Sequence, residues 1–289
     1  MMEATTAITL DEDGAEVWSL DPDRITPGAS TVKVVTTWLA RQHLDMPDLI
    51  EALDSDDIYI PPTHALRGGD IARTDDMIRS TLIVSDNYGA NALARTMGAR
   101  LLAGEGVSDP TPTQAMDRYC DMAMGALTDF GWTDHLIRNG SGIQSVNRFT
   151  MRQIADLWRH VRLTDPWLHN AGSMMSYTFR IGGPRDRAIT PVNSVSSYID
   201  QMPGYVAGKT GTDISGVTYL VWSWRHPSGQ IMTSALGEST RTGRPADASE
   251  IMAVSGALVE GTPFRFTNGR PARLRWVSGD LVRQRTGRF

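Results

Sequence analysis

PGASTVKVVTTWLA, residues 27–40, holds one of only two lysines in a chain that otherwise carries 26 arginines. Lys33 stands three residues after Ser30, and residues three apart share one face of a helix. The apolar spacing of this stretch predicts a helix that opens at Ser30. A serine hydroxyl is a weak nucleophile until a neighbouring base takes its proton. Lysine can be that base once burial or a nearby cation lowers its pKa from about 10.4. Arginine cannot, because its guanidinium stays protonated in proteins. A lysine here, against the chain's arginine habit, reads as a proton acceptor for Ser30. The bland alternative is an N-capping serine followed by a solvated lysine.

The second lysine stands in GKTGT, residues 208–212, within a strand pattern. Flanking glycines and threonines let an extended substrate approach a strand edge, where Lys209 offers charge and Thr210 a hydroxyl. A third element, SDN at Ser85–Asn87, falls between two helical patterns and can present a hydroxyl and an amide to a cleft. Each piece alone has an ordinary reading, a cap or turn for Ser85 and plain strand threonines for Thr210 and Thr212. The two lysine contexts coincide by chance on the order of once in a thousand, before SDN is counted.

Outward from these motifs, TTAITL and AEVWSL alternate around DEDG and predict a β-hairpin. Helical periodicity then runs through TDDMIRSTLIV, NYGANALARTMG, TPTQAMDRYCDMAMGALTDF and FTMRQIADLWRHV, several opening on Thr or Asn caps. Strands return in YVAGKTG, VTYLVWSW and QIMTSALGE, and an amphipathic helix follows in RPADASEIMAVSGALVEG. That order predicts an α/β (α+β) fold whose antiparallel sheet is built from both chain ends around an inserted helical lobe. The expected boundaries are a catalytic domain over 1–260, with a sheet lobe at about 1–29 and 200–260 and a helical lobe at about 30–199. An Arg-rich tail spans 261–289.

The 289 residues can bury a sizeable core, and 40% hydrophobic with 21% charged residues is ordinary for a globular chain. A net charge of −5 argues against generic nucleic-acid binding. The charge is uneven: seven arginines against Asp280 make the tail about +6, a pattern of interaction segments. Cys120 is the single cysteine, so no internal disulfide is expected, and its helical context places it in the core. The six histidines lack ligand spacing, no metal or other cofactor is implied, and no apolar run approaches a membrane span. Trp38, Trp158, Trp167, Trp222 and Trp224 are expected in the core, with room for one at the cleft. The N-terminus has acids where a signal peptide has basic residues.

Ser-x-x-Lys, then Ser-x-Asn, then Lys-Thr-Gly, in this order, resembles the signature of the penicillin-binding protein and serine β-lactamase superfamily. The resemblance is strongest to its low-molecular-mass D-alanyl-D-alanine carboxypeptidases and endopeptidases, and it covers roughly residues 5–260. It implies Ser30 as the acylated nucleophile, Lys33 as its base, Ser85 as a proton relay and Asn87 as a ligand of substrate and of Lys33. It implies Lys209 and Thr210 in carboxylate binding, Thr210, Gly211, Thr212 and Ser141 in substrate binding, and the N–H groups of Ser30 and Thr212 as the oxyanion hole. RNGSGI, with Asn139–Gly142 and Ser141 among them, matches a supporting loop near the cleft. Peptidoglycan stem peptides would be substrates and β-lactams covalent inhibitors.

A class A β-lactamase carries a deacylating glutamate in a Glu-x-x-Leu-Asn stretch, and none stands between SDN and KTG. That favours a DD-peptidase over a β-lactamase; an esterase of the same fold and an inert wall-binding protein are the other readings. Without an export segment, and with an arginine bias typical of GC-rich genomes, a bacteriophage tail is the expected setting. A cellular enzyme lacking its signal is the runner-up. The basic tail would dock on another virion protein or on an anionic wall polymer.

Overall fold

The computed structural model describes residues 2–56 and 66–262. The chain opens with strands β1 (Thr6–Leu10) and β2 (Glu16–Leu20), joined by a turn in which Asp11 Oδ1 accepts from the N–H of Asp13 and Ala15. A 3₁₀ turn, Ala29–Val32, leads into helix α1 (Lys33–His43). Then come β3 (Leu49–Glu51), β4 (Ile71–Arg73), α2 (Thr74–Ile83), α3 (Asn87–Gly104) and α4 (Pro112–Asp129). They are followed by α5 (Met151–Thr164), α6 (Pro166–Ala171), β5 (Phe179–Ile181) and β6 (Arg187–Ile189). The chain returns to the main sheet with β7 (Tyr205–Thr212), β8 (Thr218–Arg225) and β9 (Ile231–Ser239), and α7 (Gly243–Val259) follows.

The sheet is antiparallel in the order β2-β1-β9-β8-β7, so the two ends of the chain meet where Ile8 pairs with Ala235. Period-two alternation assigns its faces. Tyr219 and Val221 of β8 turn to the core shared with the helical lobe, whereas Leu220, Trp222 and Trp224 turn to the core beneath α7. A strand covered on both faces reads as a near-continuous apolar run, as TYLVWSW does. Asp247 of α7 fastens the N-terminus to this face: its carboxylate accepts from the N–H groups of Glu3 and Ala4 and from Ser239 Oγ. The expected two-ended sheet with an inserted helical lobe is therefore the architecture observed.

Details differ for local reasons. The α-helix begins at Lys33, not Ser30, because Ser30 lies in the preceding 3₁₀ turn. Thr111 and Thr150 form capping boxes with Gln114 and Gln153, as their spacing predicts. Thr74 and Asn87 are not caps: Thr74 Oγ1 donates to Asp48 O, and α3 is capped by Asp86 through the Gly89 N–H. The ribbons β3–β4 and β5–β6 and the helix α6 are too short for periodicity to reveal. Helix α7, expected to be amphipathic, buries one broad face, Arg244 and Asp247 included, and leaves the opposite one exposed or half-buried.

Trp158, Trp222 and Trp224 are buried, and Trp38 and Trp167 are half-buried on the helical lobe. Cys120 lies in the core, where burial pushes its thiol up to about 12. Gly261, at φ +70°, ends α7 by donating to Leu258 O while the Thr262 N–H returns to Ala257 O. The rest of the Arg-rich tail, and the hairpin its Asn-Gly predicts, lie outside the described residues. Among those residues no helix is long and apolar enough to cross a membrane.

Two helical glycines separate propensity from packing. A Cβ at Gly98 of α3 would fall on the Ala115 carbonyl of α4, whereas one at Gly125 of α4 would meet nothing. Both changes to alanine gain about 1 kcal/mol of helix propensity. At Gly98 that is outweighed by overpacking against backbone that cannot move aside, of about 1–3 kcal/mol or more. Gly125→Ala should raise the denaturant midpoint and Gly98→Ala should lower it, measured by urea titration of circular dichroism.

Candidate active site

The site starts from a backbone constraint. Gly28 and Ala29 both have positive φ, +62° and +44°, which brings Ser30 sharply into the first turn. The ring of Phe149 fills the space that a Gly28 side chain would need, so this position admits only glycine. At Ala29 the same region is strained for a residue with a Cβ. Thr31 closes the turn by donating its N–H and its hydroxyl to Gly28 O. Ser30 is left 8% exposed at the floor of a cleft.

Lys33 is fully buried, and its Nζ lies 2.8 Å from Ser30 Oγ, 2.8 Å from Asn87 Oδ1 and 2.5 Å from Ser141 O. A carbonyl and an amide oxygen can only accept, whereas a hydroxyl can also donate. A neutral amine has two N–H bonds and one lone pair. Spending both bonds on Asn87 and Ser141 turns the lone pair to the Ser30 proton. Burial drives the Lys33 pKa down to about 7, and the field of Asp86 opposes the shift. The amine is thus set to accept a proton near neutrality.

Ser85 and Asn87 reach the cleft from the loop between α2 and α3. Ser85 has φ +64°, a second strained residue on the rim. Between them Asp86 is fully buried, and its carboxylate accepts from Leu66 N–H, Ser80 Oγ and Gly89 N–H. It anchors the loop and supplies the negative field at Lys33. The motif positions alone do not mark this residue, although an acid flanked by two of them is a signal that could have found it.

The opposite wall is β7, the edge strand of the sheet. Backbone groups of successive residues point to opposite edges of a strand. Gly208 donates its N–H outward to Gly172 O, so the N–H groups of Thr210 and Thr212 face outward too, toward the cleft. Gly211 and Gly142 bring β7 and the RNGSG loop against the nucleophile turn: a Cβ on Gly211 would stand 3.2 Å from Ser30 N, and one on Gly142 would strike Ala29. Thr210 and Thr212 line the cleft. Lys209 does not; it is fully buried and donates to Thr210 O at 2.6 Å. Burial first, then Lys33 and Arg244, hold its pKa well below the usual lysine value. Ser141 is likewise buried, and its carbonyl rather than its hydroxyl meets Lys33 and Ser30. The loop's shape comes from Asn139, whose Oδ1 accepts from the N–H of Ser141 and Gly142.

The cleft, of ≈ 540 Å³, contains residues that no motif marked. Arg244 of α7 is 6% exposed, donates to Gly211 O at 3.2 Å and lies 5.1 Å from the Tyr198 ring centroid. Its Nε and the Tyr198 hydroxyl have no hydrogen-bond partner. Buried donors left unpaired are costly, and a cleft that keeps them is built to receive an acceptor. One carboxylate lines the cleft among the described residues, that of Asp213. Its Oδ1 is engaged by Ser215 N–H, Ser215 Oγ and Val217 N–H within its own turn.

No family model matches the chain, and no curated protein does. Solved structures do resemble it. A single-residue mutant of the DD-transpeptidase of Streptomyces K15 superposes with a TM-score of 0.77 at 18% identity, covering 89% of this chain and 99% of that one. A further structure of the same transpeptidase gives 0.76 at 19% identity, over 89% and 98%. The D-alanyl-D-alanine carboxypeptidase of Mycobacterium tuberculosis H37Rv gives 0.69 at 19% identity, over 88% and 91%. At such identities the likeness establishes a common architecture: the chain has the fold of these DD-peptidases.

Proposed function

We propose that the protein is a serine DD-peptidase of the penicillin-binding superfamily, cleaving D-Ala-D-Ala ends or D-Ala cross-links of peptidoglycan. The observation that carries this reading is a fully buried lysine whose Nζ lies 2.8 Å from the hydroxyl of a serine at a strained helix entrance. Ser30 attacks the carbonyl as Lys33 takes its proton. The N–H groups of Ser30 and Thr212 stabilise the developing oxyanion. Ser85 passes a proton to the departing amine, and the acyl group on Ser30 is released by water. Thr210 and Arg244 receive the terminal carboxylate of the substrate, with Lys209 buried beneath them and bonded to the Thr210 carbonyl. The reaction needs no cofactor, and β-lactams acylate the same serine.

The cleft's single carboxylate is bound up in its own turn, which supports slow release of a penicilloyl group and favours a peptidase over a β-lactamase or esterase. An intact Ser30–Lys33 pair speaks against an inert wall-binding protein. A phage-tail location, with the 261–289 segment docking on a virion protein or anionic wall polymer, belongs to the proposal on the sequence's charge pattern alone. Mass spectrometry of peptidoglycan digested by the protein tests the reading: loss of terminal D-Ala or cleavage of cross-links supports it, and an unchanged muropeptide pattern refutes it.

Lys33→Arg keeps the charge and removes the base, so labelling by a fluorescent penicillin should fall by about 10²–10⁴-fold, the usual scale of general-base catalysis. Equal labelling rates would remove Lys33 from that role.

The wild-type acylation rate should follow the neutral fraction of Lys33. The depressed pKa makes it rise about tenfold per pH unit below 7 and level off above. A flat rate from pH 5 to 9 would contradict a base that titrates near 7. The penicilloyl adduct itself should persist for minutes or longer, read as the intact-mass shift after excess drug is removed. Rapid multiple turnover would move the protein to the β-lactamase side.

A further inference from the structure

The segment between β6 and β7 carries no motif, yet it touches both groups that would receive a substrate carboxylate. Ser194 Oγ lies 2.7 Å from Thr210 Oγ1 and 3.3 Å from Ile83 O, and the Ser194 N–H donates to the same Ile83 carbonyl at 3.0 Å. Ile83 ends α2, two residues before Ser85, so Ser194 ties the edge strand to the lobe that holds the opposite rim. The flanking residues keep it there. Asn193 donates to Met174 O and accepts from the Val195 N–H, and Val195 is fully buried. Four residues on, Tyr198 carries the ring beside the Arg244 guanidinium.

We infer that Ser194 is a positioning residue that sets the Thr210 hydroxyl for ligands with a free carboxylate; the inference rests on the acyl-transfer reading of Ser30. A proton count gives the reason. Each hydroxyl has one proton to donate. A carboxylate only accepts, so Thr210 must give it its own proton. The Thr210–Ser194 bond then survives only if Ser194 donates to Thr210, turning its proton away from Ile83 O. Ser194 thereby holds Thr210 in its donating orientation, and the Ile83 carbonyl keeps the Ser194 N–H as partner throughout. The unpaired Arg244 Nε and Tyr198 hydroxyl at the same end of the cleft fit an anionic ligand there. Ser194 touches no reacting atom; it acts through Thr210.

The test is acylation of Ser30 by benzylpenicillin and by its methyl ester, followed by intact-mass spectrometry at several concentrations. Ser194→Ala should weaken acylation by the free acid about five- to tenfold, the scale of one hydrogen bond, through half-saturation rather than the limiting rate. Acylation by the ester should stay within about twofold of wild type, and Ser194→Thr should restore the free acid. Equal losses with acid and ester would mean a merely structural role, and no loss with either would mean none; both overturn the inference. A wild type that forms no adduct with either compound fails earlier and strikes down the acyl-transfer reading itself.

Discussion

The site is organised around the cost of burying one amine. A charged ammonium taken out of water loses several kcal/mol of hydration unless its surroundings replace it. Lys33 has no solvent exposure, and its three oxygen partners come from three separate parts of the chain: Ser30, Asn87 and Ser141. Two of them can only accept and take N–H bonds in either protonation state, whereas the Ser30 hydroxyl accepts from the ammonium and donates to the neutral amine. The field of fully buried Asp86 keeps the shift from going further. Nucleophile turn, SDN loop and RNGSG loop are therefore held together at the atom whose proton affinity matters.

A buried arginine makes the arrangement cationic as well as basic. Lys209 and Arg244 donate to the Thr210 and Gly211 carbonyls, and both have their proton affinity lowered chiefly by burial. Positive charge with little water around it exerts a stronger field than the same charge at the surface. It also explains the division of labour on β7. Thr210 and Thr212 present polar groups to the cleft, whereas Lys209 acts from below through the Thr210 carbonyl. Lys209, expected at the substrate carboxylate, is itself buried and does not line the cleft.

Four of the seven non-glycine residues with positive φ among the described residues stand at the cleft or beside it. Ala29, Ser85, Gln144 and Ser145 all have positive φ without being glycine; Ser85 and Gln144 line the cleft, and Ala29 and Ser145 adjoin residues that do. Strain of this kind costs on the order of 1–3 kcal/mol per residue and persists only where packing over-determines the backbone. Here the packing is identifiable: the Phe149 ring under Gly28, and the glycines at 142 and 211 that admit close backbone approach.

The sequence by itself determined the gross topology and singled out Ser30, Lys33, Ser85 and Asn87, which meet around one cleft. Lysine in place of arginine at 33 and 209 is a choice of side-chain chemistry, visible in one chain, and alternation with capping signals fixed the two-ended sheet and the larger helices. It could not reveal Arg244 or Ser194 as parts of the site, since their roles depend on partners distant in the chain. Arg244 meets Gly211, 33 residues away, and Ser194 meets Ile83, 111 residues away. Nor could it tell that Lys209 and the Ser141 hydroxyl lie beneath the surface, or that Ser30 sits in a 3₁₀ turn before the helix. Local pattern records what a residue can do. Burial, and the direction in which a lone pair or a proton points, arise only when distant segments close around it.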